Sequence, residues 1–219
     1  MKQNTSKKLD ELFIRYPVLL PCKDEIIKAI EAIIDCYISG KKVIAAGNGG
    51  SAADAEHIVG ELMKGFLYPR ALNETTIKKI RENSRENAAD YLIKNLQMPL
   101  AAISLVNQVA LGTAFANDQA ADLVFAQQIL GMGNKGDVFI AISTSGNSKN
   151  VLYAVDVAKA KGLTTVALTG KSGGELKNTA DILINVPEDE TYKIQELHLP
   201  VYHALCIAVE EEFFGEEQA

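Results

Sequence analysis

The chain has 219 residues, 47% of them hydrophobic, which is enough to bury one sizeable core and fits a single domain, 1–219, better than two. A formal net charge of -6 argues against a nucleic-acid partner, because phosphate backbones are met by clustered Lys and Arg. Cys22, Cys36 and Cys206 are widely spaced and form no CxxC pair, so neither a disulfide framework nor a cysteine zinc site is expected. The opening stretch MKQNTSKKLDELF has no apolar signal-peptide core, and no apolar run reaches the roughly 18 to 20 residues that cross a bilayer. The expected location is the cytoplasm, without a membrane partner.

Residues 1–40 form a helical segment, in which 9–38 reads as two helices broken at Tyr16-Pro17. Ile26, Ile27, Ile30, Ile33 and Ile34 fall at helical spacing there, as core packing or as an oligomer seam. Apolar, β-prone runs then recur at 43–46, 101–105, 138–142, 164–168 and 182–186, each closed by a Gly, Ser or Asn turn and separated by helical patterns. Runs with so little polar alternation suit strands covered on both faces. Their alternation with helices implies right-handed crossovers, hence an α/β fold with a doubly wound parallel sheet. The charged stretch 73–97, with Lys78-Lys79, Arg81-Glu82 and Arg85-Glu86, reads as one inserted helix. It is expected to cover the active site or line a subunit interface. A last helix spans 194–214, with Leu197, Val201, Leu205 and Val209 as its apolar stripe. Its acidic end, Glu210-Glu211-Glu212 and Glu216-Glu217, reads as solvated surface.

Two turns carry the chemistry. Gly47-Asn48-Gly49-Gly50-Ser51 lies between the first strand and a helix that bears Asp54, His57 and Glu61. A turn poor in Cβ atoms, leading into a helix N-terminus, exposes N–H groups to an anion. Ser51 with Asp54 also forms a capping-box-like pair. The spacing is neither the dinucleotide fingerprint nor a Walker loop, so no nucleotide cofactor is expected. The second turn, Ser143-Thr144-Ser145-Gly146-Asn147-Ser148, follows the 138–142 strand. Ordinary N-capping needs one of its hydroxyls; the whole set suits a phosphate held without Lys or Arg. Open parallel sheets bind ligands at such strand C-terminal ends.

All three histidines fall in two helices. His57 and Glu61 are four apart on one helix, and Gln195, Glu196, His198 and His203 lie on the last one. If the helices meet, His57, Glu61, Gln195 and His203 offer an N/O set for one metal or one substrate, while His198 reads as structural. Gln195 and His203 stand roughly 12 Å apart along their helix, which strains a shared ion.

These residues, together with Leu168-Thr169-Gly170-Lys171 and Ile194-Gln195-Glu196-Leu197-His198, resemble the sugar isomerase (SIS) domain in order along nearly the whole chain, and within it the phosphoheptose isomerases. The resemblance implies a flavodoxin-like three-layer sandwich. It also implies conversion of sedoheptulose 7-phosphate to D-glycero-D-manno-heptose 7-phosphate, toward the heptose of bacterial surface polysaccharides, by a cytoplasmic homotetramer. By the same resemblance Ser51, Ser143, Thr144, Ser145 and Ser148 match phosphate contacts, and Gly49 and Gly50 belong to the same turn. Asn48, Asn117, Asp118 and Gln195 match substrate contacts, Glu61 and His203 the catalytic pair, and His57, Glu61, Gln195 and His203 the zinc ligands of some members. An Arg common after the family's Glu-Leu pair is replaced here by Met63-Lys64-Gly65, so that contact is lost or passes to Lys64 or Arg70. The alternative is a non-catalytic SIS protein, a sugar-phosphate sensor or a replication-initiator partner. Such a protein has no need of Glu61.

Overall fold

The computed structural model describes residues 1–85 and 87–215; of the acidic positions read from the sequence, Glu86, Glu216 and Glu217 lie outside them. Helix α1 (Gln3–Arg15) stops where Pro17 pushes Tyr16 out of the helical region, at φ -130 and ψ 71. A 3₁₀ segment, Pro17–Cys22, leads into α2 (Lys23–Ile38). The isoleucine stripe of α2 is core packing: Ile26, Ile30, Ile33 and Ile34 are all buried against the sheet.

Then follow β1 (Val43–Gly47), α3 (Gly50–Met63), α4 (Glu74–Asn83), α5 (Ala89–Asn95), β2 (Ala102–Ser104), α6 (Val109–Phe115) and α7 (Val124–Met132). The chain continues with β3 (Val138–Ile142), α8 (Lys149–Ala160), β4 (Thr164–Thr169), α9 (Leu176–Thr179), β5 (Ile182–Asn185) and α10 (Thr191–Phe214). All strand pairs are parallel, in the order β2-β1-β3-β4-β5.

Alternate residues of the strands feed two cores. Val43 and Ala45 of β1, and Val138, Ile140 and Ile142 of β3, pack with α1, α2, α3 and α10. Ile44, Ala46, Phe139 and Ala141 pack with α7, α8 and α9. A strand buried on both faces has no polar position to spare, which is why these runs are apolar throughout. The chain path reverses between β1 and β3, and Gly47 pairs with Ile142 there, so the two turns that follow these strands emerge side by side at the point where such sheets bind ligands. No helix of the described residues is long and apolar enough to cross a membrane.

Two expectations are corrected. The 73–97 stretch folds as two short helices, α4 and α5, neither of which buries a residue. The acidic end of α10 is not solvated surface: Glu210 is 0% and Glu211 2% exposed. Glu210 accepts from Arg70 Nε at 2.8 Å and from the backbone N–H groups of Phe66 and Leu67 at 2.7 Å each, while Arg70 Nη1 donates to the Leu62 carbonyl at 2.6 Å. Tyr68 donates to Glu211. A carboxylate with this many donors can be buried; sequence pattern does not reveal donors that come from 140 or more residues away. Glu212 in turn accepts from Lys2 N at 2.8 Å and Thr5 Oγ1 at 2.7 Å, fastening the start of α1 to the end of α10.

His198 is fully buried, its Nε2 donating to the Thr169 carbonyl at 3.2 Å. Burial pushes its imidazole from 6.5 down to about 4. The folded chain therefore holds it neutral where the unfolded chain binds a proton, so stability is complete above pH 6.5 and is lost as pH falls toward 4. Thermal melts are expected to show a loss on the order of 3 kcal/mol across that window. His198→Gln, which keeps a donor for Thr169, is expected to flatten it. An unchanged slope in the variant would assign the acid sensitivity to other groups.

Candidate active site

Gly49 enters α3 at φ 57, the left-handed region that favours glycine. The helix starts two residues earlier than a Ser51 cap requires. Ser51 is buried inside the first turn, Asp54 accepts instead from Tyr202, and the expected capping box is not formed. In the second turn Gly146 has φ 67, and a Cβ there would collide with the Gly173 carbonyl, so the loop after β4 holds this turn closed. Ser148 occupies the N-cap position of α8, yet its hydroxyl caps no backbone N–H; it pairs with Ser143 Oγ at 3.0 Å. Thr144 is half-buried and Ser145 exposed. Hydroxyls withheld from capping beside a helix N-terminus are free to meet an anion.

Asn48 and Asn150 exchange two side-chain hydrogen bonds, at 2.9 and 2.8 Å, tying the β1 turn to the first turn of α8. Asn150 was not marked by the sequence reading; the cue was a second amide one residue into the helix after the serine-rich turn.

A second cluster lies further along α3, where α10 runs beside it. The His57 Nε2 is 3.3 Å from Glu61 Oε1, and Lys64 Nζ is 2.9 Å from Glu61 Oε2. The His203 ring stands edge-on to His57, Phe66 and Tyr202, with centroids 5.0, 5.4 and 5.1 Å away. Its Nε2 is buried without a hydrogen-bond partner. Burial, and then the neighbouring His57, hold the His203 imidazole below its ordinary value, which keeps it neutral and able to give or take a proton near pH 7. His203 also lines a cleft of about 320 Å³ between α1 and α10, with Lys8, Arg15 and Tyr16. Tyr202, another residue missed from sequence, donates to Asp54 Oδ1 at 3.2 Å and stands 3.0 Å from His57 Nδ1. Because the Tyr202 hydroxyl donates to Asp54, its oxygen is left to accept from His57 Nδ1–H, and this contact fixes the ring with Nε2 facing Glu61.

The other residues lie elsewhere. Gln195 sits against Gly50, where a Cβ would collide with its amide, at the head of α3 rather than beside His203. Asn117 and Asp118 are exposed in a π-helical turn and bond each other at 2.8 Å. Of the two candidates for the missing arginine contact, Arg70 is withdrawn: it is 1% exposed and committed to Glu210. Lys64 stands at Glu61 itself.

Sequence profiles of the SIS domain match residues 21–92 and 99–208. The phosphoheptose isomerase of Sulfurimonas denitrificans is 39% identical over 197 residues, 88% of this chain and 87% of that protein. The chain belongs to the SIS-domain family, among the phosphoheptose isomerases. Two solved members superpose with TM-scores of 0.70 at 31% identity. One is the phosphoheptose isomerase of Neisseria gonorrhoeae, covering 95% of this chain and 92% of that one; the other, from Francisella tularensis, covers 93% and 98%. The protein is accordingly an enzyme, a sugar-phosphate isomerase, and the non-catalytic alternative is set aside.

Zinc, which the SIS resemblance implies for some members, can be weighed against the donors present. Their chemistry fits a divalent ion of that type: an imidazole oriented through Nδ1, an adjacent carboxylate, and a second imidazole whose Nε2 lacks a partner. As the side chains stand, no three His, Cys, Asp or Glu among the described residues converge on one point.

Proposed function

We propose that this isomerase converts sedoheptulose 7-phosphate to D-glycero-D-manno-heptose 7-phosphate in the cytoplasm. The observation that carries the reading is the pairing of Glu61, its side chain 12% exposed, with a neutral, partnerless His203 Nε2 across the His57 ring. Moving a carbonyl between adjacent carbons requires one proton to change carbon and another to change oxygen. Glu61 takes the carbon-bound proton and returns it to the neighbouring carbon of the enediol, while His203 serves the oxygens. Lys64 offsets carboxylate charge, and the Ser143 to Ser148 turn holds the ester. His57, Glu61 and His203 would hold a zinc-like ion, which when bound supplies polarisation of the carbonyl; Gln195, against Gly50 at the head of α3, stands apart from them.

Gly50 and Glu61 are separated by about 16 Å along α3, too far for one ester and its carbonyl to meet the turn and the acid–base pair on a single helix flank. This supports a site completed by a second copy, in keeping with the homotetramer implied by the family. Ile14 and Ile38, 78% and 70% exposed, are apolar surface available to such an assembly.

The test is a screen of C5 to C7 ketose phosphates, with protein made without a metal-affinity tag and its metal content measured. Sedoheptulose 7-phosphate is expected to be the best substrate, and chelation to lower the rate. Absence of turnover with every ketose phosphate would end the proposal. Full activity with substoichiometric metal would remove zinc from it.

A further inference from the structure

We propose that Gln128 recognises the hydroxylated carbon chain of the substrate, a specificity role resting on the sugar-phosphate isomerase reading above. Gln128 lies on α7 and is 2% exposed, yet neither its Oε1 nor its Nε2 has a hydrogen-bond partner. Buried side-chain amides are nearly always bonded, because losing water without gaining a partner is unfavourable. An amide left bare of protein partners marks a place where something else bonds to it.

Gln128 forms part of the wall of an open cleft of about 370 Å³ at the C-terminal end of the sheet, shared with Asn48, Ala52, Gln108 and Thr113. No charged residue lines this cleft; away from the glycine turn its polar lining is the Gln108 and Gln128 amides and the Thr113 hydroxyl. A primary amide has two donors and an acceptor. That pattern suits neighbouring hydroxyls, each of which both gives and takes a hydrogen bond. The cleft is also joined to the ester-binding turn: Asn48 on its wall is bonded to Asn150, two residues after Ser148. A sugar phosphate whose ester sits at the serine turn would therefore lay its carbinol groups along the Gln128 side.

The probes are sorbitol 6-phosphate, which carries the polyol chain but cannot be isomerised, and inorganic phosphate, which carries only the anion. Calorimetric titration of full-length wild type is compared with Gln128→Met, a close match in shape that removes the hydrogen bonds. The expected result is roughly tenfold weaker binding of sorbitol 6-phosphate with less than a twofold change for inorganic phosphate. The melting temperature should not fall, since an unpaired amide has been removed from the free protein. Equal binding of sorbitol 6-phosphate by variant and wild type would overturn the proposal, as would equal loss of both probes, which would indicate a merely structural role or one confined to water. Should Gln128→Met fail to fold, Gln128→Glu, which keeps the shape and loses both donors, is held to the same criterion. A wild type that binds sorbitol 6-phosphate but turns over no ketose phosphate would defeat the isomerase reading and leave the Gln128 result standing.

Discussion

Glu61→Gln is expected to lower kcat by about a thousandfold while leaving binding of the phosphate ester within a few-fold of wild type. The amide keeps the volume and can still accept from Lys64 Nζ, which stands 2.9 Å from Glu61 Oε2, but it has no basicity with which to remove a proton from carbon. General-base catalysis by a positioned side chain is worth about 10² to 10⁴ in rate, and here no other carboxylate is in the cluster to replace it. Asp54 is turned away to Tyr202 and is raised by burial above its ordinary value. Proton NMR in deuterated water provides the measurement, because solvent deuterium entering the sugar at the reacting carbon follows the same step. Deuterium exchange at more than a tenth of the wild-type rate would show that another group does this work.

Arg70→Met is expected to have the largest effect on stability. The Arg70–Glu210 pair has both side chains 0% exposed, and the guanidinium also holds the Leu62 carbonyl and stacks over Phe214 at 4.8 Å. Removing one member leaves a carboxylate charge in a site without water, for which about 3 to 5 kcal/mol is typical. For a chain of this size that corresponds to a melting temperature lower by roughly 10 °C. Arg70→Met combined with Glu210→Gln should recover part of the loss. The glutamine removes the stranded charge and keeps an acceptor for Phe66 and Leu67, whose N–H groups point at Glu210. A drop below about 2 °C in the single variant would mean that solvent reaches Glu210. Activity is expected to fall as well, because this pair fastens the segment just after Glu61 to the helix that bears His203.

Where local physics decides, the sequence was legible. The five strands lie where unbroken apolar runs are closed by turn residues, and the β3 run ends at Ile142 as expected. Pro17 ends α1, and a 3₁₀ segment that also contains Pro21 separates it from α2. The two turns that follow β1 and β3 were legible because glycines and hydroxyls close those apolar runs. What remained hidden depends on partners distant in the chain. Glu210 looks like any exposed acidic residue until Arg70 arrives beside it. Gln128 follows Gln127 on α7 and carries no motif. The two helices of the 73–97 stretch share one charged composition, so periodicity alone does not reveal the break between them. Ser51 seemed a cap because the pattern that marks caps also occurs within the first turn of a helix that glycine starts early.

The bonds from Lys2 and Thr5 to Glu212 bring the two ends of the described fold to one corner of the molecule. A short peptide bridge there would span little distance and close with small entropic cost. The loop between α4 and α5, flanked by helices that bury nothing, offers a place to reopen the backbone. A circularly permuted chain would thus keep the sheet, both turns and the cluster of His57, Glu61 and His203, since none of them depends on where synthesis begins.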